Sequence, residues 1–185
     1  MIIAALLTSC AGGGNQQGTT ERATASTVSE SPDSGTAVAD KPDTDLAVGD
    51  TFTFFDGIKV EVGGISFISR YGKLDERPGA DKIAFRVTFT VINGTSEPYD
   101  LSKMSGHVQG AATGGKAEVL YVSVDSKRIY GRLAPGQSET FTDEYAIAKS
   151  DGSEVVFSVN RFDDGFFADP TAWLGKDPRW TGRIE

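Results

Sequence analysis

Residues 83–92 constrain this chain more than any other stretch. Ile83, Phe85, Val87, Phe89 and Val91 fall on one side of an extended backbone, and Arg86, Thr88 and Thr90 fall on the other. Period-two alternation of branched and aromatic residues with polar ones predicts a strand buried on one face, and Asn93-Gly94-Thr95 predicts the turn that ends it. A strand with that many large apolar side chains on one side must be covered, so every other segment is read for what could cover it.

The same pattern recurs. Phe52 and Phe54 share a face in 51–56, Asp56-Gly57 predicts a tight turn, and Ile58, Val60 and Val62 alternate with Lys59 and Glu61 to complete a hairpin. Gly63-Gly64 interrupts the alternation before Ile65 and Phe67, which predicts a bulge. A polar loop over 70–81 then leads into the central strand. Residues 101–115 are weakly patterned, with Val108 alone strand-like. Leu120, Val122 and Val124 predict a strand over 118–124, and 129–133 predicts a short one. Leu133-Ala134-Pro135-Gly136 is a turn leading to 139–148, where Phe141, Tyr145 and Ile147 share a face. Asp151-Gly152 predicts a further hairpin into a last strand bearing Val155, Phe157 and Val159. Asp143 shares the face of Phe141 and Tyr145, and a buried carboxylate needs a partner or a raised pKa, so a bulge turning it outward is expected. Seven or eight such strands without a helix predict an all-β, immunoglobulin-like two-sheet sandwich over 47–161. The marks of an antibody domain are missing, since there is no Cys pair and no Trp in the central strand.

Residues 1–10 have a different character. A short apolar run enters Leu7-Thr8-Ser9-Cys10, which resembles a bacterial lipobox, the small residues preceding a Cys that is acylated. The run lacks Lys and Arg and is shorter than the about 7 to 15 residues of a signal core, so translation is expected to start upstream. Acylated Cys10 would attach the chain to a lipid bilayer, on the extracytoplasmic face of the cell membrane, by the paired acyl chains that stable anchoring takes. Residues 11–46 are Gly, Ser, Thr, Ala, Gln, Asp and Pro with few large apolar groups. Six acids against two bases give this segment -4 of the chain's -8. It is expected to be a structureless tether with a mean span of about 30 to 35 Å.

Taken together, the lipobox, the tether, Val48-Gly49-Asp50, the strand ending Val91-Ile92-Asn93-Gly94-Thr95-Ser96-Glu97-Pro98, and Leu133-Ala134-Pro135-Gly136 resemble a family of Gram-positive lipoproteins with a telokin-like, immunoglobulin-like domain. The resemblance covers roughly 47–160. It implies a fold and a location and brings no catalytic residues.

The remaining chemistry is sparse. A net charge of -8 and a pI near 4.7, without a basic stripe, disfavour nucleic acid and anionic headgroups. His107 is the only histidine and no G-x-S-x-G turn is present, so a non-catalytic protein without a cofactor is expected. One Cys and one His cannot make a structural zinc site. Asp163, Asp164 and Asp169 around Gly165 are a candidate calcium loop, though not of EF-hand spacing. In 162–185, Phe166, Phe167, Trp173 and Trp180 lie among Gly and Pro without periodicity. They are candidate contacts for an envelope protein, peptide or glycan, which Tyr71 and Tyr99 could join, or else cover for a sheet edge. The expected function is a membrane-anchored binding module at the cell envelope. A small-ligand or calcium-binding protein and a purely structural envelope component are the alternatives.

Overall fold

The computed structural model describes residues 19–23, 44–162 and 177–185. Among these, twelve strands follow in order: β1 (Thr19–Glu21), β2 (Asp45–Ala47), β3 (Thr51–Thr53), β4 (Ile58–Phe67), β5 (Lys82–Asn93), β6 (Tyr99–Asp100), β7 (Met104–Gly110), β8 (Glu118–Val119), β9 (Arg132–Leu133), β10 (Ser138–Ala148), β11 (Glu154–Arg161) and β12 (Arg179–Arg183). They form a six-stranded sheet ordered β1-β3-β4-β5-β10-β8, a four-stranded sheet ordered β2-β12-β11-β7, and a ribbon of β6 with β9. The chain is a β-sandwich. Its strands outnumber the expected seven or eight because several are two or three residues long and carry no apolar alternation.

The expected central strand is central. β5 pairs with β4 on one side and β10 on the other, and Phe85, Val87, Phe89 and Val91 are buried. Phe157 of β11 closes on Phe89 from the opposite sheet, ring centroids 5.5 Å apart, and Trp180 of β12 packs behind Phe157 at 6.5 Å. Burying side chains of this size supplies about 1.5 to 3 kcal/mol each, so this inter-sheet stack contributes several kcal/mol of cohesion.

Local signals translate well. Asp56-Gly57 turns β3 into β4 with Gly57 at φ 96°, and the β4–β5 register shifts between Val62 and Gly64 as the paired glycines predict. Asp143 is a correction: β10 runs in unbroken register from Ser138 to Ala148, so no bulge turns it outward and it keeps the face of Phe141 and Tyr145. Asp151-Gly152 is another. The turn exists, with Gly152 at φ 83°, but β10 belongs to the larger sheet and β11 to the smaller, so the chain crosses between layers instead of forming a hairpin.

Besides the short β2 and β6, two elements lie where none was expected. β1 falls within the expected tether and pairs antiparallel with β3, Thr19 opposite Thr53. β12 falls in the aromatic C-terminal segment, antiparallel to β11 and parallel to β2. Asp50 joins both regions. Its buried carboxylate accepts from Ala23 N and Ala47 N, each at 2.9 Å, and its carbonyl accepts from Trp180.

Candidate functional site

Arg86 and Glu144 are cross-strand neighbours on the outer side of the larger sheet, where polar residues normally face water. Here that side is covered. The Glu144 side chain is fully buried: Oε1 accepts from Arg86 Nε at 2.9 Å and from Thr142 Oγ1 at 2.9 Å, and Oε2 accepts from Ser126 Oγ at 3.1 Å. Arg86 also donates to the Val124 carbonyl at 2.6 Å. Charge-assisted bonds of this kind pin residues 124–127 to the sheet.

A second loop joins the first. Leu120, Val122 and Ala146 form a small core with Ile68, Tyr71 and Ala84, separate from the inter-sheet core. The strand expected over 118–124 therefore ends at Val119, and beyond it carboxylates take the place of a neighbouring strand. Asp75 accepts from Gly72 N at 2.6 Å, Ser123 N at 3.0 Å and Ser123 Oγ at 2.7 Å, while Glu76 accepts from Tyr121 N at 3.0 Å. The Ser123 hydroxyl and these amides hold the Asp75 pKa down at about 2.

Where this cap meets the end of β4 and the start of β5, a groove of about 590 Å³ opens. Ile68, Ile83 and Ala84 give it an apolar lining, and Phe67, 53% exposed, stands in it. Three cations converge there. The Arg77 guanidinium lies 4.9 Å over the Tyr71 ring, Lys82 pairs with Glu118 at 2.5 Å, and Lys149 donates to the Ala80 carbonyl at 2.7 Å. Neither Arg77 nor Lys149 has a carboxylate partner among the described residues. Exposed Leu74 and Tyr121 add apolar surface to the same cap.

The residues singled out from sequence fare differently. Trp180 is a correction: it is fully buried in the sandwich, so it covers the core and offers nothing to a partner. Cys10, Asp163, Asp164, Phe166, Phe167, Asp169 and Trp173 lie outside the described residues. Among the described residues no group of three His, Cys, Asp or Glu is placed to hold a metal ion. His107 sits exposed on β7, opposite Ser158. Tyr99 is buried beneath Arg161, which pairs with Asp56 at 2.7 Å, whereas Tyr71 lines the groove.

No protein-family model matches the chain, and no curated protein matches it. Its fold is similar to solved structures. The ycdA protein of Bacillus subtilis is 14% identical at a TM-score of 0.47, over 69% of this chain and 37% of that one, so the chain spans little more than a third of that protein. The yjhA protein of Bacillus subtilis is 12% identical at 0.47, over 76% and 99% of the two chains. A β-sandwich protein of Clostridium difficile is 8% identical at 0.43, over 82% and 100%. Likenesses this distant carry no function across.

Proposed function

We propose that this protein is a lipid-anchored, extracytoplasmic, non-catalytic binding module that presents the Phe67–Lys149 groove to an acidic peptide segment of an envelope protein. The observation that carries the reading is the convergence of Arg77, Lys82 and Lys149 around exposed Phe67 in a chain of net charge -8. Cations gathered against the overall sign of a protein select an anionic partner and speed its approach. The apolar lining favours a ligand with side chains over a hydroxyl-dense glycan, because the glycan would lose water there without regaining hydrogen bonds.

The anchor is Cys10 in Leu7-Thr8-Ser9-Cys10, the feature shared with the lipoproteins this chain resembles. With β1 beginning at Thr19, eight residues separate it from Cys10. Fully extended, they reach no more than about 30 Å, so the sandwich works close to the lipid surface.

The test is titration of the full-length Cys10→Ser protein with a labelled alternating Glu-Phe peptide and its Lys-Phe counterpart. The acidic peptide binds, salt weakens it, and the Arg77→Ser/Lys149→Ser variant weakens it by about tenfold or more. Equal binding of both peptides, or an unchanged double variant, contradicts the reading.

A further inference from the structure

Asp143 stays on the inner face of β10 at the open flank of the sandwich, where β7 of the opposite sheet approaches. A cleft of about 180 Å³ lies there, walled by Met104, Val119 and Ile129 and carrying Asp143, Arg128 and Tyr145. Room for the carboxylate comes from Gly106, since a Cβ at that position would stand 2.8 Å from Asp143 Oδ2. Among the described residues Asp143 has one weak donor, the Tyr145 hydroxyl at 3.4 Å. Glu144 also borders the cleft, but its oxygens are already engaged by Arg86, Thr142 and Ser126.

Arg128 is equally uncommitted. Its guanidinium lies 4.5 Å over the Tyr121 ring and donates to the Leu120 carbonyl at 2.9 Å, which leaves most of its donors unused. Among the described residues it forms no ion pair, with Asp143 or with any other carboxylate. One cleft is thus lined by Asp143 and Arg128, which feel each other's charge without forming an ion pair, with apolar walls beside them.

We infer that this cleft binds a free α-amino acid as its zwitterion, the ammonium on Asp143, the carboxylate on Arg128, and an apolar side chain against Met104, Val119 and Ile129. Each charge of the guest meets its opposite, and neither protein group gives up an existing ion pair to receive it. The volume limits the guest to a single amino acid of moderate size. Burial, and then the neighbouring Glu144 charge, raise the Asp143 pKa against the pull of the Tyr145 hydroxyl and of Arg128, and an ammonium group bound there would favour its ionised form. The site is independent of the groove.

Calorimetric titration of the full-length Cys10→Ser protein near neutral pH tests this with three probes: leucine, leucinamide, which lacks the carboxylate, and isocaproate, which lacks the amine. Leucine binds, and each analogue binds about tenfold or more weaker. Asp143→Asn lowers leucine to the level of isocaproate and does not weaken isocaproate. Arg128→Gln lowers leucine and does not weaken leucinamide, while Arg77→Ser/Lys149→Ser changes none of the three. Absence of leucine binding, equal affinity for all probes, or variants that weaken every probe alike overturns the inference.

Discussion

The indole N–H of Trp180 donates to the backbone carbonyl of Asp50 at 2.9 Å, which ties the last strand of the chain to the segment that enters the sandwich. The same Asp50 receives Ala23 and Ala47 through its carboxylate, so one residue gathers β1, β2 and β12 at one side of the fold. A tryptophan that resembles a partner contact in the sequence is a buried fastener in the structure.

Replacing Trp180 tests that role. Trp180→Ala empties a fully buried site and costs about 3 to 5 kcal/mol, measured by urea denaturation. Trp180→Phe keeps most of the apolar volume but leaves the Asp50 carbonyl without its donor, and costs about 1 to 3 kcal/mol. If either variant were as stable as the parent, Trp180 would not be the fastener described.

Glu144 and Arg86 hold the cap. Glu144→Ala leaves a guanidinium with 15% exposure facing an empty site, and the expected loss is about 3 to 5 kcal/mol. Faster amide exchange over 120–128 should accompany it, because Ser126 and Val124 lose their attachment to the sheet.

How much of this was legible in sequence depends on how local each cause is. β5, the Asp56-Gly57 hairpin and the bulge at Gly63-Gly64 are written in neighbouring residues and were readable. β1 has no apolar residue, and β12 has one large one beside Gly182, which lies against Val48 and Ile65. Neither can be told from a loop until its partner strand is known. Leu120 and Val122 alternate as a strand would, yet the amides of Tyr121 and Ser123 donate to carboxylates some 45 to 48 residues away. The groove was hidden for the same reason: Phe67, Arg77 and Lys149 sit far apart in the chain, and only the ends of β4, β5 and β10 bring them together. Asp143 stands out in the pattern of β10, but no pattern links it to Arg128, with which it shares the cleft.

Stability should depend on pH through Asp177. Burial raises its pKa to about 6, against the pull of Arg179, while Asn160 donates to it at 2.8 Å. Because the folded state keeps this proton to higher pH than the unfolded chain, stability falls as pH rises from about 4 to 6. Asp143, also raised, adds to that slope. Asp56 acts the other way: despite burial, Arg161 lowers its pKa, so its contribution is present at neutral pH and is lost only in acid. Asp177→Asn should match the parent at pH 4 and exceed it by about 1 kcal/mol at pH 7, after allowing for its partial exposure. Thermal melts across that range check it, and parallel curves for the two proteins would refute it.

Gly106 is required by its neighbours. An added Cβ would lie 2.5 Å from the Phe157 ring as well as 2.8 Å from Asp143, so Gly106→Ala should cost about 1 to 3 kcal/mol by overpacking. Gly114, at φ 71° with open space around it, is the control for an alanine that meets no atoms and suffers only backbone strain. Denaturation curves that leave Gly106→Ala unshifted would contradict the packing described.

The most direct measurement is flotation of the acylated full-length protein on neutral liposomes together with the labelled Glu-Phe peptide. The parent should carry the peptide to the top of the gradient. Cys10→Ala should leave both protein and peptide at the bottom, and Arg77→Ser/Lys149→Ser should float without the peptide. Flotation of Cys10→Ala, or peptide carried equally by the double variant, would contradict it.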